Sequence, residues 1–165
     1  MLAITHLVVT LLLIQILVLD RNDAFVALVF GVLIDLDHLM GLKDYVESHG
    51  FKPLMHLGTL IDPGGHWKSM LHSPVAVAVV GPLSALSRLG VPLVFWGIHM
   101  IMDVVQDTYL GQFSTAEAML LFFSSAGLIA LRYSAYSARH WKATLTDYIR
   151  AEWRILKGMP GPRHA

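Results

Sequence analysis

The chain contains no cysteine in 165 residues. That absence removes disulfides, thiolate metal sites and cysteine nucleophiles together. It also carries no formal net charge, because twelve Lys and Arg balance twelve Asp and Glu. No polyanion is implied as a general partner, so nucleic acid is not expected. Charged residues make up only 15% of the chain, against 55% hydrophobic. The mean hydropathy of +0.59 is too high for an ordinary soluble domain and fits a polytopic membrane protein. There is no internal repeat and no low-complexity run, and the length suits one domain.

What the chain does have is five apolar segments, at about 2–19, 24–42, 74–89, 91–105 and 115–131. The expected fold is therefore all-α: a polytopic membrane helix bundle of about five spans, followed by a basic amphipathic C-terminal helix. The first segment has no basic stretch before it and no small-x-small cleavage site ahead of Asp20-Arg21-Asn22-Asp23, so it reads as a retained helix rather than a signal peptide. That polar turn is short, which makes the first two segments an antiparallel hairpin. Residues 43–71, with Pro53, Pro63 and Gly64-Gly65, read as an extramembrane loop. Pro74 suits the first turn of the third segment, and Gly90 and Pro92 mark the next turn. The third and fourth segments are short against the ~20 residues of a full span.

The bundle is expected over residues 1–131 and a distinct tail over 132–165. Seven of the twelve Lys and Arg lie from Arg132 onward. Between 133 and 157, Trp141, Leu145, Tyr148, Ile149, Trp153 and Leu156 recur at three- and four-residue steps, with basic residues at other positions. That is the pattern of a helix lying on a membrane surface, or packed on the bundle or on a partner in a membrane complex. Basic residues mark the cytoplasmic side, so the C-terminus is expected in the cytoplasm of an inner or cell membrane.

The chain has nine histidines, and most of them cluster with aspartates at one end of this bundle. His6 opens the first segment; Asp35, Asp37 and His38 close the second; His66 and His72 precede the third; His99 and Asp103 close the fourth. Antiparallel connection brings these ends together on the extracytoplasmic face. Without thiolates, a metal there rests on imidazole and carboxylate, which suits a divalent ion, zinc first. His99 and Asp103 are four apart and share a helix face. Asp35 and His38 are three apart and share another, and two carboxylates so close in an apolar run repel unless a cation or proton lies between them. The expected ligands are His6, Asp35, His38, His72, His99 and Asp103, with His66 as a further candidate. The plainer alternatives are helix capping for Asp103, a polar helix end for the 35–38 cluster, and interfacial or packing histidines elsewhere. His49 and His56 are expected at a loop entrance, His140 and His164 away from the site, and Trp67 and Trp96 as interfacial anchors.

Four of these pieces resemble the membrane-bound, metal-dependent hydrolase family of bacteria and archaea. That family has an early His, Asp-x-Asp-His ending a helix, Arg-x-x-x-His-Ser, and a later His-x-x-x-Asp. The matching residues here are His6, Asp35-Leu36-Asp37-His38, Lys68 with His72-Ser73, and His99 with Asp103. The chain departs where the family has His-Arg, since it has Trp67-Lys68 with His66 displaced by one, and where the family has Pro before Asp-x-Asp, since it has Ile34. The likeness covers about 1–131 and implies a metal site in a small helical membrane protein. A more distant similarity is to zinc-dependent phospholipase C.

The function expected from this is a metal-dependent hydrolase acting on a lipid or lipid-linked phosphoester at the membrane interface. Asp37 is the expected general base and Lys68 the expected partner of the anionic group, with 43–71 as a lid. The alternative is a non-catalytic accessory subunit with a structural or degenerate metal site. Haem ligation would not need several aspartates, and an ion carrier would spread its polar groups through the bilayer rather than gather them at one end.

Overall fold

The computed structural model describes residues 3–37, 46–47, 50, 70–87, 90–110, 114–140 and 142–157. The described residues are helical, without a strand. Six α-helices follow in order: α1 Ala3–Ile16, α2 Arg21–Gly31, α3 Val77–Ala85, α4 Val91–Val105, α5 Thr115–Arg139 and α6 Leu145–Leu156. Short 3-10 turns at Leu33–Asp37, Met70–His72 and Pro74–Ala76, and a π turn at Gln106–Leu110, link or extend them.

Local chemistry explains the boundaries. The Asp20 carboxylate accepts from the backbone N–H of Asn22 at 2.8 Å and of Asp23 at 2.9 Å. It N-caps α2, so Arg21–Asp23 are already helix rather than the turn their polarity suggested. Ser114 Oγ accepts from the Glu117 N–H at 3.1 Å and caps α5. Gly90, with φ 61°, supplies the left-handed residue before α4. α5 runs unbroken past 131 to Arg139, so the expected boundary between bundle and tail falls inside a helix. The tail helix proper begins at Leu145.

α1 packs along α5, α2 along α4, and α3 on α4, while α1 also touches α2 and α4. Ser124 is buried, and Gly127 faces Leu12 of α1, where a Cβ would make ordinary contact with the Leu12 methyls at 3.6 and 3.8 Å. Apolar side chains form two small clusters, one around Ile34, Ala76, Val80 and Trp96, the other around Ala27, Val91 and Phe95.

The distribution of polarity is inverted relative to a soluble domain. Among the described residues, nine polar or charged side chains are buried against eight apolar ones, and 28 large hydrophobics are exposed. Water would penalise that arrangement, whereas a hydrocarbon solvent favours it. Only α5 among the described helices is long and apolar enough to cross a bilayer, and just 6% of its most apolar window is buried. α1, with 14 residues, is apolar but about 21 Å long, short of a ~30 Å hydrocarbon core.

Candidate metal centre

Four side chains from three separate stretches of sequence meet at one point. Asp35 comes from the 3-10 turn after α2, His72 from the turn before α3, and His99 and Asp103 from α4. One ligand atom from each lies within 4.8 Å of all the others. The His72 and His99 Nε2 atoms are 3.1 Å apart. Asp35 Oδ1 lies 3.3 Å from His72 Nε2 and 3.1 Å from His99 Nε2. Asp103 Oδ2 lies 3.3 Å from His99 Nε2 and 3.8 Å from His72 Nε2.

These distances fit a bound cation. A tetrahedral ion with bonds of ~2.1 Å holds its ligand atoms about 3.4 Å apart. A single proton between the two imidazoles satisfies one of the contacts; a cation at the centre satisfies all four donors at once. The two histidines are buried, while Asp35 is 26% and Asp103 17% exposed, so the centre is open on its carboxylate side.

The surrounding groups orient the donors. The His99 Nδ1–H donates to the Gly31 carbonyl at 3.2 Å, which leaves the Nε2 lone pair for the centre. Gly31 ends α2, so its carbonyl is available to a side chain of α4. The Trp96 indole N–H donates to the Leu71 carbonyl at 2.9 Å and ties the His72 turn to α4. Trp96, expected as an interfacial anchor, is instead buried, and its hydrogen-bond partner Leu71 directly precedes His72. Trp96→Phe keeps most of the ring volume and loses this bond. It is expected to weaken metal binding by about 10–100-fold with the fold intact, as loss of an orienting partner does. Metal titration of the purified variant checks this, and unchanged affinity would remove Trp96 from the site.

His6 stands outside the four-donor group. Its Nε2–H donates to Asp103 Oδ1 at 3.1 Å, while Asp103 turns Oδ2 to the centre. The His6 ring stacks on His99 with centroids 4.1 Å apart, and its Nδ1 is buried without a hydrogen-bond partner among the described residues. This places His6 as the group that orients the Asp103 carboxylate rather than as a third imidazole at the centre.

Sequence reasoning missed a polar pair beside it. Thr5, next to His6 on α1, donates its hydroxyl to Glu117 Oε1 at 3.2 Å, and both residues are fully buried. Glu117 lies in the first turn of the Ser114-capped α5, and no spacing along the chain marks it as buried. Gln106, also buried, follows Asp103 on the π turn. Asp107 is exposed and lies outside the group. His140 is far along α5, stacked on Tyr136 with centroids 4.3 Å apart. His38, His66, Lys68, His49, His56, Trp67 and His164, and the side chain of Asp37, lie outside the described residues. Compared with known proteins, the chain matches no family model, no curated protein and no solved structure.

Proposed function

We propose that the chain is an integral membrane, metal-dependent hydrolase acting on a lipid or lipid-linked phosphoester at the bilayer interface. The observation that carries this reading is the convergence of Asp35, His72, His99 and Asp103, with the His99 tautomer set by the Gly31 carbonyl. The buried polar groups and the exposed apolar surface support the membrane part. The order of the His and Asp motifs, which resembles the membrane-bound metal-dependent hydrolases, supports the same reading.

A zinc-like ion held by Asp35, His72, His99 and Asp103 would supply a water of lowered pKa, near ~7, and Lewis acidity toward a phosphoryl oxygen. The protein's own part is positional. His72 and His99 offer neutral nitrogens, and Asp35 and Asp103 balance the charge of the ion. Asp37, two residues beyond Asp35 on the same turn, is the proposed general base, and Lys68 the proposed partner of the anionic group. The metal end of the bundle faces the extracytoplasmic side, opposite the basic C-terminal end. The other helices complete a polytopic bundle around α5.

One observation favours a second reading. Four protein donors converge, enough to fill all the positions of a tetrahedral ion, and closed tetrahedral sites are typically structural, while catalytic ones keep a position open. In that reading the protein is an accessory subunit of a membrane complex with a structural ion.

One preparation separates the two. The protein, purified in detergent without chelator, is assayed for metal by mass spectrometry and for release of phosphate or headgroup from phospholipid substrates. The hydrolase reading expects about one equivalent of metal and turnover, with Asp37→Asn keeping the metal and losing about 100-fold or more in rate, in line with removal of a general base. Metal without turnover of any phosphoester supports the accessory reading. No metal after incubation with zinc sinks both.

A further inference from the structure

We propose that α6 is a docking helix for an anionic phospholipid surface, bound at the end of the molecule opposite the metal centre. The inference uses the reading of α5 as a membrane span and is independent of the metal site.

α6 is held against the last turns of α5. The buried Tyr148 ring meets Tyr133 and Tyr136, with centroids 5.9 and 5.7 Å apart. Tyr133 donates its hydroxyl to the Ala143 carbonyl at 3.1 Å, and Arg132 pairs with Glu152 at 3.1 Å. Glu117, bonded to Thr5 next to His6, and Arg132, paired with Glu152, are fifteen residues apart on one helix, about 22 Å along its axis. A span of ~20 residues beginning at Thr115 ends at about the same level as these tyrosines. Aromatic rings that are apolar at one end and polar at the other favour the membrane boundary.

At that level α6 presents an amphipathic face that is unpartnered among the described residues. At 100° per residue, Leu145, Ile149, Trp153 and Leu156 fall within an arc of about 80°, and Arg150, Arg154 and Lys157 within the adjoining arc of about 60°. The four apolar residues are exposed, Trp153 at 58% and Leu156 at 78%. Ile149, Arg150, Trp153, Arg154 and Lys157 line one shallow groove, and Lys157 Nζ sits 5.0 Å from the Trp153 ring centroid. Both acidic side chains of the helix are engaged within the chain. Glu152 pairs with Arg132, and Asp147 closes a capping box with Thr144, whose hydrogen bonds hold its carboxyl below the usual carboxylate range. What remains outward is an apolar strip bordered by three cations. An anionic lipid matches both parts, with acyl chains against the strip and headgroup phosphates against the cations.

The test uses the absence of cysteine, because one introduced thiol is then a unique label site. Full-length Ile149→Cys carries a bimane label and is reconstituted in phosphatidylcholine vesicles with or without phosphatidylglycerol. Phe123→Cys, on the exposed face of α5, is the control for the span. The expected result is blue-shifted emission at 149, quenched by nitroxide lipids, and stronger with phosphatidylglycerol. Replacing Arg150, Arg154 and Lys157 with glutamine lowers the docked-to-undocked ratio in those vesicles about fivefold per cation, and added salt acts in the same direction. Quenching at 123 with water-like emission at 149 in both vesicles overturns the proposal and leaves the span standing. Blue-shifted emission at 149 without lipid quenching also overturns it, in favour of a protein surface. Equal quenching in both vesicles, unchanged in the triple variant, overturns anionic recognition. No quenching at either position overturns both the docking and the span.

Discussion

Replacing His99 with alanine is expected to empty the metal centre while leaving the helices in place. His99 Nε2 makes three of the short contacts at the centre, to His72, Asp35 and Asp103. Its loss removes the donor that the other three share. Loss of an orienting neighbour costs metal sites about 10–100-fold, so loss of a donor should exceed 100-fold. Bound metal in the purified variant should fall from about one equivalent to a trace, and added zinc at micromolar levels should not restore it. Asp103→Ala should behave alike, because Oδ2 faces the centre and Oδ1 holds His6. His6→Ala should retain part of the metal, because His6 reaches the centre only through Asp103. Circular dichroism keeps the test fair, since equal helix content in all variants excludes unfolding as the cause. Full metal retention in the His99 variant would mean that the four groups are a hydrogen-bonded polar cluster and not a metal centre.

Gly31→Ala should damage both the fold and the site, and a second substitution should repair it. A Cβ on Gly31 would lie 2.5 Å from Thr10 Oγ1, 3.2 Å from Thr10 Cγ2 and 3.4 Å from the Phe95 ring. The first distance is one that packed atoms do not adopt, so the Thr10 side chain, or α1 with it, must shift. Overpacking of this kind costs about 2 kcal/mol. The same residue supplies the carbonyl that fixes His99, so metal affinity should fall alongside stability. Thr10→Ala removes both atoms of the closest clash, and its own hydroxyl bond to the Gly31 carbonyl is long, at 3.5 Å. The double variant should therefore regain most of the lost stability and metal binding. Thermal unfolding in detergent micelles measures the first, and metal titration the second. A Gly31→Ala protein as stable as the parent, or one that Thr10→Ala fails to improve, would show that α1 and α2 do not pack as closely as described.

The all-helical class of the chain and the pairing of His99 with Asp103 were determined by the sequence itself, whereas the 3-10 turn that ends the second segment at Leu33–Asp37 was not. Both are local matters. Apolar runs bounded by Asp20, Gly90 and Ser114 set where helices start, and the i, i+4 repeat of a helix puts His99 and Asp103 on one face wherever that helix packs. The chain order also put Asp35, at the end of the second apolar segment, and His72, just before the third, at the two ends of one loop, which favours the same end of the bundle. The tail's amphipathic period was equally plain, although its first turns belong to α5.

The tertiary structure alone decided which side chains face the centre and which support it. α1 is apolar all round, so periodicity does not say which face turns inward, and its buried residues are the polar Thr5, His6 and Thr10. They reach Glu117, Asp103 and Gly31 in turn, one on each neighbouring helix. His6 became a support for Asp103, Trp96 a tie to the His72 turn, and Glu117 a buried partner of Thr5. None of these roles follows from spacing along the chain. They depend on the rotation of α1 about its axis and on the approach allowed by Gly31, which are properties of packing between segments distant in sequence.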